Sequence, residues 1–192
     1  MRYGFAIADV SGKGAPAALF MALSRAFLKA TASEGMSAGE CLARVNRLVQ
    51  AENHAGMFVT MFYGIVNMHT GELEFANAGH NHPYLLREDE PPAMLNHPNS
   101  LVIGLRKQVV YSTHRLQLQP GDCLFLYTDG VTEAMNEAGE LFYEERLEQV
   151  LARSGGDSLQ EITRSINGAV RQFVNGAPQS DDLTMLLVKY CG

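Results

Sequence analysis

No apolar run in this chain is long enough to span a bilayer, and Met1 leads into strand-like sequence rather than a basic region and signal core. The expectation is a soluble, cytoplasmic chain without a membrane segment of its own. No Lys/Arg cluster exists either. The 15 basic residues stand against 21 acidic ones, and the formal charge of −6 argues against a general nucleic-acid binder. Protein or small-molecule partners fit better. Cysteine is scarce and odd in number. Cys41, Cys123 and Cys191 lack metal-ligand spacing and lie in or beside apolar segments, as buried thiols of a reducing compartment do. Internal repeats, low-complexity tracts and interdomain linkers are also missing, so the 192 residues read as one domain, 1–192, with a sizeable core.

What is present is organised around residues 3–14, YGFAIADVSGKG. The apolar run 5–8 predicts a strand ending at Asp9, and Ser11, Gly12, Lys13 and Gly14 predict a tight loop. A carboxylate at the end of a buried strand is costly unless a cation or several donors compensate it, which makes Asp9 a candidate for chemistry. The competing reading has Asp9 or Ser11 merely capping the next helix. That helix is predicted over 15–32, with Pro16 in its first turn and an apolar stripe of Pro16, Phe20, Leu23, Phe27 and Ala30. Leu19, Met21 and Leu28 fall outside the stripe, so the helix needs cover on more than one side. A sensor domain or second subunit pressing on it would be felt at Asp9 through the short glycine loop.

Ser37 and Glu40 form a capping box for a second helix, with Cys41, Val45, Leu48 and Val49 on its inner face. Cys41 and Arg47 have the C-x5-R spacing of cysteine-dependent phosphatases. That chemistry needs a phosphate-wrapping loop, whereas residues six apart on a helix lie about 240° apart around its axis. Cys41 is therefore assigned to the core. Residues 57–68, rich in β-formers, predict a strand buried on both faces, with 72–76 returning as its antiparallel partner. Residues 77–83, NAGHNHP, read as a second turn before a strand at 84–87. His80 and His82 there are assigned a structural or supporting use rather than direct ligation. A proline-rich loop over 88–100, a half-exposed strand over 109–118 and an apolar strand over 123–127 follow. Helices are expected over 143–153 and after the Ser158/Glu161 capping box, the latter lined by Ile162, Ile166, Val170 and Phe173. The last strand, 183–189, opens behind Asp181 and Asp182.

Two strands thus run into acids, Asp9 and Asp129, and the last runs away from Asp181 and Asp182. If the last strand is antiparallel to the others, the carboxylates gather at one edge and demand cations. Oxygen ligands without His or Cys favour Mg²⁺ or Mn²⁺ over zinc. A Walker phosphate loop is excluded at 11–14, because Gly14 follows Lys13 and Ile7 stands where its first glycine belongs.

The stretches ADVSGKG at 8–14, TMFYG at 60–64, ANAGH at 76–80, LYTDGVTEA at 126–134 and SDDLT at 180–184 resemble a known family. It is the PPM, or type 2C, metal-dependent serine/threonine phosphatases, within them the bacterial SpoIIE-like branch. The resemblance implies an α+β fold, an αββα sandwich of two antiparallel sheets flanked by helices. It implies two Mn²⁺ or Mg²⁺ ions as cofactors, which bind the phosphate and activate water for in-line attack. By motif position Asp9, the Val10 backbone carbonyl, Asp129 and Asp181 become the metal ligands, with Asp182 in reserve for Asp181. The branch's substrate is a phosphoserine or phosphothreonine on a STAS-type anti-sigma-factor antagonist. Its partners extend to an upstream sensor or receiver domain and a homodimer. A Gly-Gly-Asp motif, which precedes this start in the family and supplies another ligand, has no counterpart here, so the chain is expected to be the larger part of a phosphatase domain. A reading from another class, a non-catalytic partner-binding domain with an incomplete metal site, stays open beside this one.

Overall fold

The computed structural model describes residues 1–32, 34–98, 100–178 and 181–192. In chain order its elements are β1 (Arg2–Val10), α1 (Gly14–Ala32), α2 (Ala38–Glu52), β2 (Val59–Asn67), β3 (Glu72–Ala78), β4 (Tyr84–Leu86), β5 (Ala93–Met94), β6 (His114–Gln117), β7 (Cys123–Tyr127), α3 (Tyr143–Leu151), α4 (Leu159–Val174) and β8 (Met185–Lys189). They form an α+β fold whose strands make two antiparallel sheets, ordered β1-β2-β3-β6 and β5-β4-β7-β8. The chain divides into two compact units, Met1–His80 with Pro98–Leu118 and Gly192, and Asn81–His97 with Gln119–Cys191.

In the first unit β2 is an inner strand, and its nearly continuous apolar sequence is buried from Val59 to Val66 except at half-buried Thr60. β1 pairs with it residue by residue from Arg2↔Asn67 to Val10↔Val59. The ladder therefore runs past residue 8, and Asp9 and Val10 stand inside it rather than beyond its end. Helix α2 carries the Ser37/Glu40 box as the sequence indicates, with Glu40 Oε2 accepting from Ser37 N at 3.0 Å. Its buried face is Cys41, Leu42, Val45, Asn46 and Val49, while Leu48 turns outward. Asn46 faces the core because Gly104 N donates to its Oδ1 at 2.9 Å and its Nδ2 donates to the Arg106 carbonyl at 2.8 Å.

Helix α1 differs from its expected stripe. Its buried residues are Ala17, Phe20, Ser24 and Thr31, with Pro16 and Ala30 exposed. Ser24 tolerates burial by donating to the Phe20 carbonyl at 2.8 Å, a local bond that counting apolar side chains does not register. Met21 and Leu28 pack half-buried against the same core as Cys41, Val45 and Met61.

In the second unit, β7 is wholly buried, and Phe125 and Tyr127 pack with Tyr84, Leu147, Ile162, Ile166 and Val170. α4 follows the Ser158/Glu161 capping box and turns the expected face inward. Within the proline-rich stretch, Ala93–Met94 pairs with β4 where only loop was expected. Between 109 and 118 only β6 is strand, so that element is shorter than its sequence suggests. Asp122, assigned to a turn, is buried because Arg87 Nε lies 3.2 Å from its Oδ2 and Gln119 N donates to it at 3.0 Å. Cys41 and Cys123 are buried as expected. Cys191, near the chain end, is exposed, which corrects its assignment to the core. Among the described residues no helix is long and apolar enough to cross a membrane.

Candidate metal centre

Asp9 sits half-buried on β1 opposite Thr60 of β2, and its Oδ1 accepts from Val10 N at 2.7 Å. The turn behind it is fixed by Ser11, whose N donates to the Phe58 carbonyl and whose Oγ accepts from Phe58 N, both at 2.9 Å. This reciprocal bond ties Ser11 to the strand opposite, so its hydroxyl is not a helix cap. Gly12 and Gly14 follow at φ 88° and 77°, the left-handed region that side chains avoid. Lys13 between them is exposed.

In the second unit β7 and β8 are antiparallel, with Tyr127 opposite Met185, and this brings the acids after one strand beside the acids before the other. Thr128 closes the junction. Its N donates to the Thr184 carbonyl at 3.1 Å and its hydroxyl to the Asp182 carbonyl at 3.4 Å, and Thr184 N donates to its Oγ1 at 3.3 Å. A Cβ on Gly130 would collide with the Asp182 carbonyl oxygen, so only glycine lets the turn after Asp129 close here. The Asp129 carbonyl accepts from Glu133 N at 2.7 Å, which curls the next residues back over it. Asp181 Oδ1 accepts from Asp182 N at 2.8 Å. Asp129 is half-buried, and Asp181 and Asp182 are exposed.

Glu133 registers the crowding of charge. Its carboxyl is held above the usual range, first by burial and then by the negative charges of Asp129, Asp181 and Glu144. Sequence reasoning passed over this residue, although the four-residue step from Asp129 is the spacing that returns a side chain to the same turn. Among the described residues no group of three or more His, Cys, Asp or Glu side chains is gathered closely enough to hold an ion. The donors that meet in the second unit, the carboxylates of Asp129 and Asp181, nonetheless have the chemistry a hard divalent cation requires. Their negative charges both act on Glu133. Asp9 and Val10 belong to the first unit.

The residues assigned to supporting roles are accounted for in the same way. Cys41 is inert: burial, and secondarily the charge of Glu34, push its thiol up to about 11, and Arg47 on the same helix is exposed. His80, 2% exposed, lies with Nδ1 2.9 Å from Thr60 Oγ1. His82 falls in the other unit, and burial lowers its pKa.

Known proteins agree with this chain over nearly its whole length. The family model for Stage II sporulation protein E (SpoIIE) matches residues 1–190. Phosphoserine phosphatase RsbU of Bacillus subtilis (strain 168) is 30% identical over 184 residues, which are 96% of this chain and 54% of that protein. The chain thus spans about half the length of that curated relative. The structure of the SiaA-PP2C domain of Pseudomonas aeruginosa shares the fold with a TM-score of 0.86 at 22% identity, over 98% of this chain and 76% of that one. The structure of RsbX in complex with magnesium shares it with a TM-score of 0.70 at 19% identity, over 97% and 80%. The chain belongs to the SpoIIE family and has the fold of the PP2C phosphatase domains.

Proposed function

We propose that residues 1–192 form the catalytic domain of a bacterial, cytoplasmic protein serine/threonine phosphatase that depends on two Mn²⁺ or Mg²⁺ ions. The observation that carries this reading is the meeting of Asp129 and Asp181 where β7 and β8 run antiparallel, with their charge registered at Glu133. The magnesium complex of RsbX and the phosphoserine activity in the name of RsbU support it. In this reading Asp9, the Val10 carbonyl, Asp129 and Asp181 hold the ions, with Asp182 in reserve for Asp181. When bound, such ions supply positive charge to the phosphate and lower the pKa of a water for attack at phosphorus. The chain's own residues supply position. Ser11 pins the turn behind Asp9 to Phe58, and Thr128 and Gly130 pin the turn around Asp129 to Asp182. Cys41 takes no part as nucleophile, since it is buried and protonated at neutral pH.

The substrate in this reading is a phosphoserine or phosphothreonine on a STAS-type regulatory protein. An upstream sensor or receiver domain and a second copy of the chain act as regulators. One observation favours the other class of reading, a partner-binding domain without catalysis: no three ligand-type side chains are gathered among the described residues. Phosphate release from a phosphoserine peptide, with Mn²⁺ and with chelator, separates the two. Release that needs Mn²⁺, in this chain or in a version extended upstream, is the expected result. No release from either version establishes the binding domain.

A further inference from the structure

Beside the acids of the second unit lies a cavity of about 750 Å³, a size that accepts small ligands or short stretches of peptide. Part of its lining is α4, where Asn167, Val170, Arg171 and Val174 recur at three- and four-residue steps and so share one face of the helix. Asn175 and Gly176, at φ 49° and 95°, then turn the chain back, and Ala177 N donates to the Val174 carbonyl at 3.1 Å. Another part is Gly130 with Met135, which is 42% exposed and sits in a bridge with Leu141. Asp181 and Asp182 belong to the same lining. Among the described residues Arg171 is the one cationic side chain there; it is exposed and forms no ion pair. An arginine in the last turn of a helix complements the helix dipole, but that role asks for no cavity.

We propose that this cavity is the subsite for the residues that flank the phosphoserine of the substrate protein, and that Arg171 selects an acidic side chain among them. With phosphorus held at the acids read as ligands, the chain on one side of the phosphoserine runs into the cavity, because Asp181 belongs to both. A space of this volume is about 11 Å across, which takes about three residues of extended chain. Met135, Val170 and Val174 offer apolar surface to the stems of those residues, and the guanidinium of Arg171 offers the planar fork that pairs with a carboxylate. Asp181 and Asp182 repel a second negative charge, so the preference for acid is confined to the position that reaches Arg171. That the occupant is a phosphoserine segment rests on the phosphatase reading; the cavity and its cation do not.

Alanine-based phosphoserine heptapeptides with a single Asp, Asn or Lys at each place around the phosphoserine test this in the presence of Mn²⁺. The reference substrate is p-nitrophenyl phosphate, which has no flanking residues. In the parent, Asp is expected to exceed Asn in kcat/KM by about 3-fold or more at a place on one side of the phosphoserine, as a partly exposed ion pair allows. Arg171→Gln is expected to abolish that preference and Arg171→Glu to turn it toward Lys, with equal turnover of p-nitrophenyl phosphate in all three proteins. A parent that separates Asp from Asn at no place overturns the subsite. So does turnover of p-nitrophenyl phosphate that falls together with that of the peptides in Arg171→Gln, which leaves Arg171 merely offsetting the neighbouring acids. If neither the chain nor a version extended upstream releases phosphate from any of these compounds, the phosphatase reading fails. The cavity is then decided by titrating the metal-free protein with the unphosphorylated Asp peptides while the amide resonances of Gly130 and Gly176 are followed. Shifts that are lost in Arg171→Gln support a site for an acidic peptide, and no shift with any peptide refutes it.

Discussion

Asp129 and Cys41 show how far single residues were legible. Asp129 and Asp181 drew attention because an acid at the end of a buried strand is out of place, and the antiparallel β7–β8 pair brings the turn after Tyr127 beside the loop before Met185. Glu133 and Asp122 escaped notice for the opposite reason: one sits on an exposed turn and the other among ordinary turn residues, and the fold adds the charge of Asp181 near the one and Arg87 beside the other. Cys41 tests the choice of chemistry. With its thiol pushed up to about 11, only about a thousandth is thiolate at pH 8, so Cys41→Ser is expected to leave phosphatase turnover within about 2-fold of the parent. Iodoacetamide on the folded protein at pH 8 should label Cys191 and spare Cys41 and Cys123. Loss of turnover in a folded Cys41→Ser protein returns the cysteine mechanism.

Elements were read best where local rules decide them. Both capping boxes form as their Ser-x-x-Glu spacing indicates, because the bonds involved span only three residues. Ser158→Ala should therefore cost about 1 kcal/mol in urea unfolding. Element edges were read worst where pairing decides them: β1 extends through Val10 because β2 offers a partner at every position, and Ala93–Met94 becomes strand only because β4 lies beside it. The face of α1 was misplaced because Ser24 satisfies its own hydroxyl inside the core. Gly130 is the element-scale point at which the turn after Asp129 closes against Asp182. Gly130→Ala forces the turn away from the Asp182 carbonyl, and a loss of about 1–3 kcal/mol in stability is expected together with weaker Mn²⁺ binding. A variant as stable as the parent and equal to it in Mn²⁺ affinity would show that the close approach of the two loops is incidental.

Over the whole molecule, the order of strands, turns and helices was enough to place the chain in its family, since the matching stretches recur in order from residue 8 to residue 184. What sequence alone did not contain is the division into two compact units, because contacts between distant segments define them and local pattern does not. The central claim is that catalysis runs through divalent cations held by these acids. Its most direct measurement is Mn²⁺-dependent phosphate release from a phosphoserine peptide by Asp129→Asn and by the unsubstituted protein, each also extended upstream, beside a thermal melt of the metal-free forms. Asp129→Asn keeps the shape and removes a charge, so a loss of about 100-fold or more in turnover at an unchanged or raised melting temperature is the predicted result. Equal turnover in the two proteins, or turnover that survives chelation of the metal, would contradict it.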